Sequence, residues 1–109
     1  MSGLKPLVKK LEGKEKYLRL LGGAPETAGF RSGFVNLDPG QDIGEHSTES
    51  KEEALVILNG RGEISCKGEP AFTVEAGNLV YIPPHTAHNV KNTGNETLRY
   101  VYIVAPVKS

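Results

Sequence analysis

Apolar and polar residues along this chain alternate over short runs, each stopped by glycine, proline or asparagine. Tyr17-Leu18-Arg19-Leu20-Leu21 ends at Gly22-Gly23, and Phe30 through Leu37 ends at Asp38-Pro39-Gly40. Ala54-Leu55-Val56-Ile57-Leu58 ends at Asn59-Gly60, a dipeptide that favours a β-hairpin because both residues tolerate positive φ. Ile64 and Cys66 alternate with Glu63, Ser65 and Lys67, so one face of that segment turns inward. Phe72 and Val74, then Leu79 through Ile82 before Pro83-Pro84, then Val90, then Leu98 through Val104 complete the series. Short strands separated by turn residues every few positions predict an all-β sandwich or barrel. The first stretch differs. Leu4, Leu7, Val8 and Leu11 fall at helical spacing with Pro6 suited to a first turn, so at most one short helix is expected before Gly13.

The length of 109 residues fits one domain, and residues 1–109 are expected to form it. Thirteen basic residues balance thirteen acidic ones, so no net field draws in a polyanion and nucleic acid is not an expected partner. No apolar run is long enough to span a bilayer, and the N-terminus lacks the apolar stretch of a signal peptide. With Cys66 the only cysteine, no internal disulfide can form, and the expected setting is the cytoplasm.

Histidine occurs three times, in two segments that also hold turn glycines and prolines. The first segment runs from Gly40 to Gly60 and the second from Gly77 to Asn92. Imidazole and carboxylate donors together suit divalent first-row metals. In the first segment Gly40 is followed after five residues by His46, after one more by Thr48, after four by Glu53 and after six by Gly60. In the second, Gly77 is followed after five residues by Pro83, then by Pro84 and His85, after two more residues by His88 and after three more by Asn92. These segments resemble the paired motifs of the cupin superfamily. The resemblance implies a double-stranded β-helix, a jelly-roll barrel of antiparallel strands, with motif one at about residues 40–60 and motif two at about 77–92.

The resemblance also implies a metal site formed by His46, Glu53 and His88, holding a divalent ion such as Fe, Mn, Ni or Zn. Two departures stand out: Thr48 occupies the place of the family's second histidine, and His85 the place of a glycine. Two imidazoles and one carboxylate remain, the set used by non-haem Fe(II) oxygenases and, with water, by catalytic zinc sites. Thr48 is a poor ligand but can hydrogen-bond a bound molecule. An inward Glu53 on an apolar strand must be ligated or paired, and Arg19, Arg31, Arg61 and Arg99 are the candidate ion-pair partners. Glu52 should face the opposite side. His85 is expected at the pocket mouth, Cys66 as a small buried hydrophobe, and Tyr81, Tyr100 and Tyr102 in packing or pocket walls. Glu45, Glu49, Glu52 and Glu53 make the first motif acidic, which would favour a cation and disfavour an anionic ligand.

The family resemblance allows dioxygenase, decarboxylase or sugar-isomerase chemistry on a small molecule. The alternatives are a barrel that binds a small ligand without chemistry and a metal-free structural barrel. Small barrels of this family often pair, and the apolar N-terminal residues need cover, so a homodimer is expected.

Overall fold

The structure, a computed structural model, describes residues 3–107. Eight strands follow in order: β1 Tyr17–Gly22, β2 Arg31–Leu37, β3 Lys51–Asn59, β4 Arg61–Cys66, β5 Phe72–Glu75, β6 Leu79–Ile82, β7 His88–Asn92 and β8 Leu98–Pro106. No helix occurs among the described residues. A five-stranded sheet has the order β1-β2-β8-β3-β6 and a three-stranded sheet the order β5-β4-β7. Every pairing is antiparallel. This is the double-stranded β-helix that the motifs imply, with two facing sheets that stay open rather than closing into one continuous barrel.

Cross-strand register explains the core. Residues directly opposite one another on neighbouring strands project to the same face. Tyr17, Val35, Tyr100 and Ile57 form one such row, and Arg19, Gly33, Tyr102, Leu55 and Val80 the next. Gly22, Arg31, Val104, Glu53 and Ile82 form a third. The middle of these rows packs against Ile64, Val74 and Val90 of the small sheet, all almost fully buried. The core is therefore apolar in its centre and turns polar in the row that carries Glu53.

Two expectations fail. Asn59-Gly60 does not close a β-hairpin, because β3 and β4 belong to different sheets. The turn is a corner: Gly60 adopts φ 81°, its carbonyl accepts from the Ala76 amide at 3.0 Å, and Asn59 Nδ2 donates to the Thr97 carbonyl at 2.8 Å. A Cβ at Gly60 would lie 2.7 Å from that same carbonyl oxygen, so the chain can switch sheets here only with glycine. The N-terminal helix is also missing. The stretch up to Lys14 carries no regular element, and Leu4, Leu7, Val8 and Leu11 are all exposed. One helical period gives too few internal hydrogen bonds to offset nucleation. The end of this arm is instead held by Asn36, whose Nδ2 donates to the Gly13 and Glu15 carbonyls at 3.2 and 2.9 Å.

The irregular chain between β2 and β3 matters most for the site. It runs along the free edge of β7 and makes isolated bridges Asp42 to Lys91 and His46 to His88. Gly40 and Gly44 both have positive φ, which keeps this stretch from becoming a regular strand. Asn92 locks the far end: its Nδ2 donates to the Leu37 and Glu96 carbonyls at 2.8 Å each, and its Oδ1 accepts from the Gly94 amide at 2.9 Å. The residue is buried, so losing the side chain strands those backbone groups away from water. Asn92→Ala should therefore lower unfolding stability by about 2–4 kcal/mol in urea denaturation. A loss under about 0.5 kcal/mol would show that these bonds are replaceable.

Candidate metal centre

His46 sits on the irregular segment, Glu53 is the third residue of β3, and His88 opens β7. His46 and His88 exchange two backbone hydrogen bonds: the His46 amide donates to the His88 carbonyl at 2.9 Å, and the reverse bond is 2.8 Å. Such a pair sends both side chains to one face. Their rings accordingly lie 4.4 Å apart between centroids, tilted by 52°. Glu53 reaches the same place from the opposite sheet, and its Oε1 is 2.8 Å from His88 Nε2. Glu53 and His88 are buried, whereas His46 is open to the pocket mouth.

Backbone carbonyls fix the tautomers. His46 Nδ1 lies 3.1 Å from the Gly44 carbonyl, and His88 Nδ1 lies 2.9 Å from the Thr86 carbonyl. A carbonyl can only accept, so each Nδ1 carries its proton and donates. Each Nε2 is then the nitrogen available to an ion, and the carbonyl behind it orients the ring. One donor atom from each of His46, Glu53 and His88 can be chosen so that all lie within 4.8 Å of one another. Ligands at about 2.2 Å around one tetrahedral ion lie about 3.6 Å apart, so a movement of about an ångström brings the set onto one ion. The donors thus fit a divalent first-row ion.

Without an ion, Glu53 and His88 neutralise each other. Burial opposes the charged imidazole, but the hydrogen bonds to Glu53 and the Thr86 carbonyl and the attraction of the Glu53 carboxylate outweigh it, so His88 lies above its ordinary value of 6.5. The partner of Glu53 is therefore a histidine, and none of the four arginines considered from sequence bridges to it.

A cavity of about 510 Å³ opens beside these residues. Ser47 and Thr48 line it, as do Tyr17, Tyr100 and Tyr102. Thr48 does not offer its proton to the cavity: Oγ1 donates to the Lys51 carbonyl at 2.7 Å and closes the turn into β3. The Tyr102 ring lies across Gly33 on the neighbouring strand, where a Cβ would fall 2.5 Å from the phenol oxygen. Burial, with Glu53 nearby, raises the Tyr100 and Tyr102 phenols, so both remain protonated at neutral pH.

Other sequence expectations fall outside the cavity. Tyr81 is exposed and donates its hydroxyl proton to Glu52 at 2.7 Å, which puts Glu52 on the outer face as alternation requires. His85 is exposed, has φ 56°, and does not line the cavity; its amide donates to the Glu49 carbonyl at 2.6 Å. Its role is that of the glycine it replaces, a left-handed residue in a tight turn. Cys66 is partly buried against the core, and burial raises its thiol, with Glu69 adding to the effect. Glu45, Glu49 and Glu52 do not line the cavity, so the acidic character of motif one lies largely outside it. Arg19 and Arg31 do line it, which sequence reasoning missed. The signal lay in strand register, since both alternate in phase with the inward residues of their strands.

The family described as the Cupin domain matches residues 33–104, the stretch from β2 to β8. This chain is a member of that family. The cupin is 35% identical over 86 residues to polyketide synthase CurC of Streptomyces cyaneus, covering 76% of this chain and 55% of that one. It is 29% identical over 70 residues to the oxalate-binding protein of Thermotoga maritima, covering 64% and 57%. It therefore spans little more than half the length of these two relatives. Among solved structures, a protein of Bacillus halodurans superposes with a TM-score of 0.82 at 23% identity, covering 96% of this cupin and 84% of that chain. That likeness supports the fold.

The buried pair sets a pH dependence for metal-free protein. A histidine raised in the folded state stabilises the fold fully below about pH 6.5, and that contribution is lost as pH rises through the raised value. The melting temperature of chelator-treated cupin should fall as pH rises above about 6.5, and His88→Asn should flatten that slope. Equal slopes in both proteins would show that the pair does not carry the dependence.

Proposed function

We propose that this cupin binds a divalent metal ion through His46, Glu53 and His88, and that the adjoining cavity receives a small organic molecule for metal-assisted chemistry. The observation that carries the proposal is the cluster of one donor atom each from His46, Glu53 and His88 within 4.8 Å of one another, with each Nδ1 within hydrogen-bond distance of a backbone carbonyl. Fe, Mn, Ni and Zn all suit two imidazoles and a carboxylate. Held by these three residues, a divalent ion would supply Lewis acidity at the mouth of the cavity. The chain's own contribution is to place the Glu53 carboxylate against His88, to aim the two rings, and to wall the bound molecule with Tyr100 and Tyr102. Dioxygenation, decarboxylation and sugar isomerisation are the reaction types we place within this frame.

A binding module without turnover is the second reading, favoured by the name of the Thermotoga relative, an oxalate-binding protein. We further propose that residues 1–109 form one domain and that the cupin works as a cytoplasmic homodimer without nucleic-acid partners. The exposed apolar side chains of Leu7, Val8 and Leu11 support the dimer. No helix among the described residues is long and apolar enough to cross a membrane.

Elemental analysis of cupin purified without a metal-affinity tag tests the site. His46→Ala, Glu53→Ala and His88→Ala should each weaken divalent-metal binding by at least about tenfold, while Thr48→Ala keeps most of it. Thr48→His should tighten binding by adding a fourth ligand and should reduce any activity that needs an open coordination position. If the wild type binds none of Fe(II), Mn(II), Ni(II) and Zn(II), and His46→Ala changes nothing, the metal proposal fails.

A further inference from the structure

The cavity's wall of β1 and β2 carries two cations, Arg19 and Arg31. Arg31 shares its row with Val104 and Glu53, two strands from the carboxylate and on the same face. At about 4.8 Å per strand their backbones are roughly 10 Å apart, which leaves room for a bound molecule between the guanidinium and the candidate metal site. Arg19 belongs to the next row, but β1 shifts register between Arg19 and Leu21. Its guanidinium lies over Gly22, where a Cβ would meet Cζ at 3.4 Å, and Gly22 is the cross-strand partner of Arg31. The Arg31 stem lies equally flat over Gly23, where a Cβ would meet Cγ at 3.0 Å. Both arginines thus pass over the adjacent glycines Gly22 and Gly23 and line the same cavity.

Two guanidiniums lining one cavity favour an anion there, because each can give it charge-assisted hydrogen bonds. Among the described residues neither arginine lies within ion-pair distance of a carboxylate, and Glu26, which feels Arg19 through space, is itself bridged to Lys9 at 3.3 Å. Glu53 is the only acid that lines the cavity, and His88 already occupies it. Leu21, Val35, Ile43, Leu55 and Val104 supply an apolar wall between the two polar ends.

We propose that the cavity selects an organic carboxylate with an apolar body, its acid group held by Arg19 and Arg31 and its far end directed toward the His46–Glu53–His88 site. The sign is opposite to the one suggested by the acidic first motif, because three of that motif's four glutamates lie outside the cavity. A guanidinium pair offers parallel N–H donors that match the two oxygens of a carboxylate, which selects an acid over a neutral analogue of equal shape. A cavity of this size accepts a bicyclic acid. The proposal rests on the metal-pocket reading for where the far end of the ligand lies, and on the arginines alone for its charge.

The test compares 2-naphthoate with the neutral 2-naphthamide by titration calorimetry, using Zn(II)-loaded and chelator-treated cupin. Wild type should bind the acid at least about tenfold more tightly than the amide in both forms, as charge-assisted bonds require. The double variant Arg19→Gln, Arg31→Gln should lose most of that preference while keeping its zinc content and melting temperature; both side chains are exposed, so folding should survive. A double lysine variant should keep part of it, because charge remains while the paired donors are lost. Binding of neither probe, equal binding of both, or a preference unchanged in the double glutamine variant would overturn the proposal. Loss of the preference on chelation alone would also overturn it, since the ion would then be the anion's partner. A preference that persists in protein binding no metal at all would sink the metal reading and leave this one standing.

Discussion

The two backbone hydrogen bonds exchanged by His46 and His88 hold an irregular length of chain against the edge of β7. The Asp42–Lys91 bridge and the Ile43 amide bond to the Val90 carbonyl hold the earlier part of the segment, and the His46–His88 pair carries the hold on to the site. There, two imidazoles emerge side by side over the end of the core, and Glu53 meets them from the other sheet. The sheets are thus tied at the site by side chains rather than by a continuous ladder. This explains how an open sandwich keeps a well-shaped cavity at one end: the apolar centre fixes the separation of the sheets, and the polar row at its margin supplies the donors. The carbonyls of Gly44 and Thr86 complete the arrangement by fixing which ring nitrogen faces inward.

Strand positions were legible because alternation and turn residues act locally. Leu79–Ile82 matches its expected limits, and Leu98 through Val104 extends only to Pro106. Which strands pair was less accessible. Asn59-Gly60 has the chemistry of a hairpin turn, yet positive φ at Gly60 serves equally well to turn a corner, and the choice is made by non-local packing of β4 against β7. The N-terminal pattern Leu4, Leu7, Val8, Leu11 has helical spacing for a single period, too short to outweigh nucleation, and the anchor that does hold the arm, Asn36, lies more than twenty residues away.

The candidate donors were reached through the resemblance to the cupin motifs, and the structure brings all three together. What spacing could not supply was their electrostatics. Glu53 is neutralised by His88 rather than by an arginine, a contact between residues 35 positions apart that depends on the facing of the two sheets. Thr48, read as a possible contact for a bound molecule, spends its proton on its own turn. His85 turns out to be a conformational substitute for glycine, visible only once its φ is known. Charge counted along motif one suggested an acidic pocket, but alternation sends Glu52 outward, and the cavity instead collects Arg19 and Arg31 from strands that precede the motif. Linear charge density is a poor guide where neighbouring side chains face opposite sides of a sheet.

The central claim is that His46 and His88 present Nε2 to an ion while a backbone carbonyl holds each Nδ1 proton. Long-range 1H–15N correlation spectra of the three histidines, recorded as Zn(II) is added, address it directly. The account predicts that the Nε2 signals of His46 and His88 shift together, that both Nδ1 nitrogens stay protonated, and that His85 does not respond. Loss of either Nδ1 proton, or a response confined to His85, would contradict it.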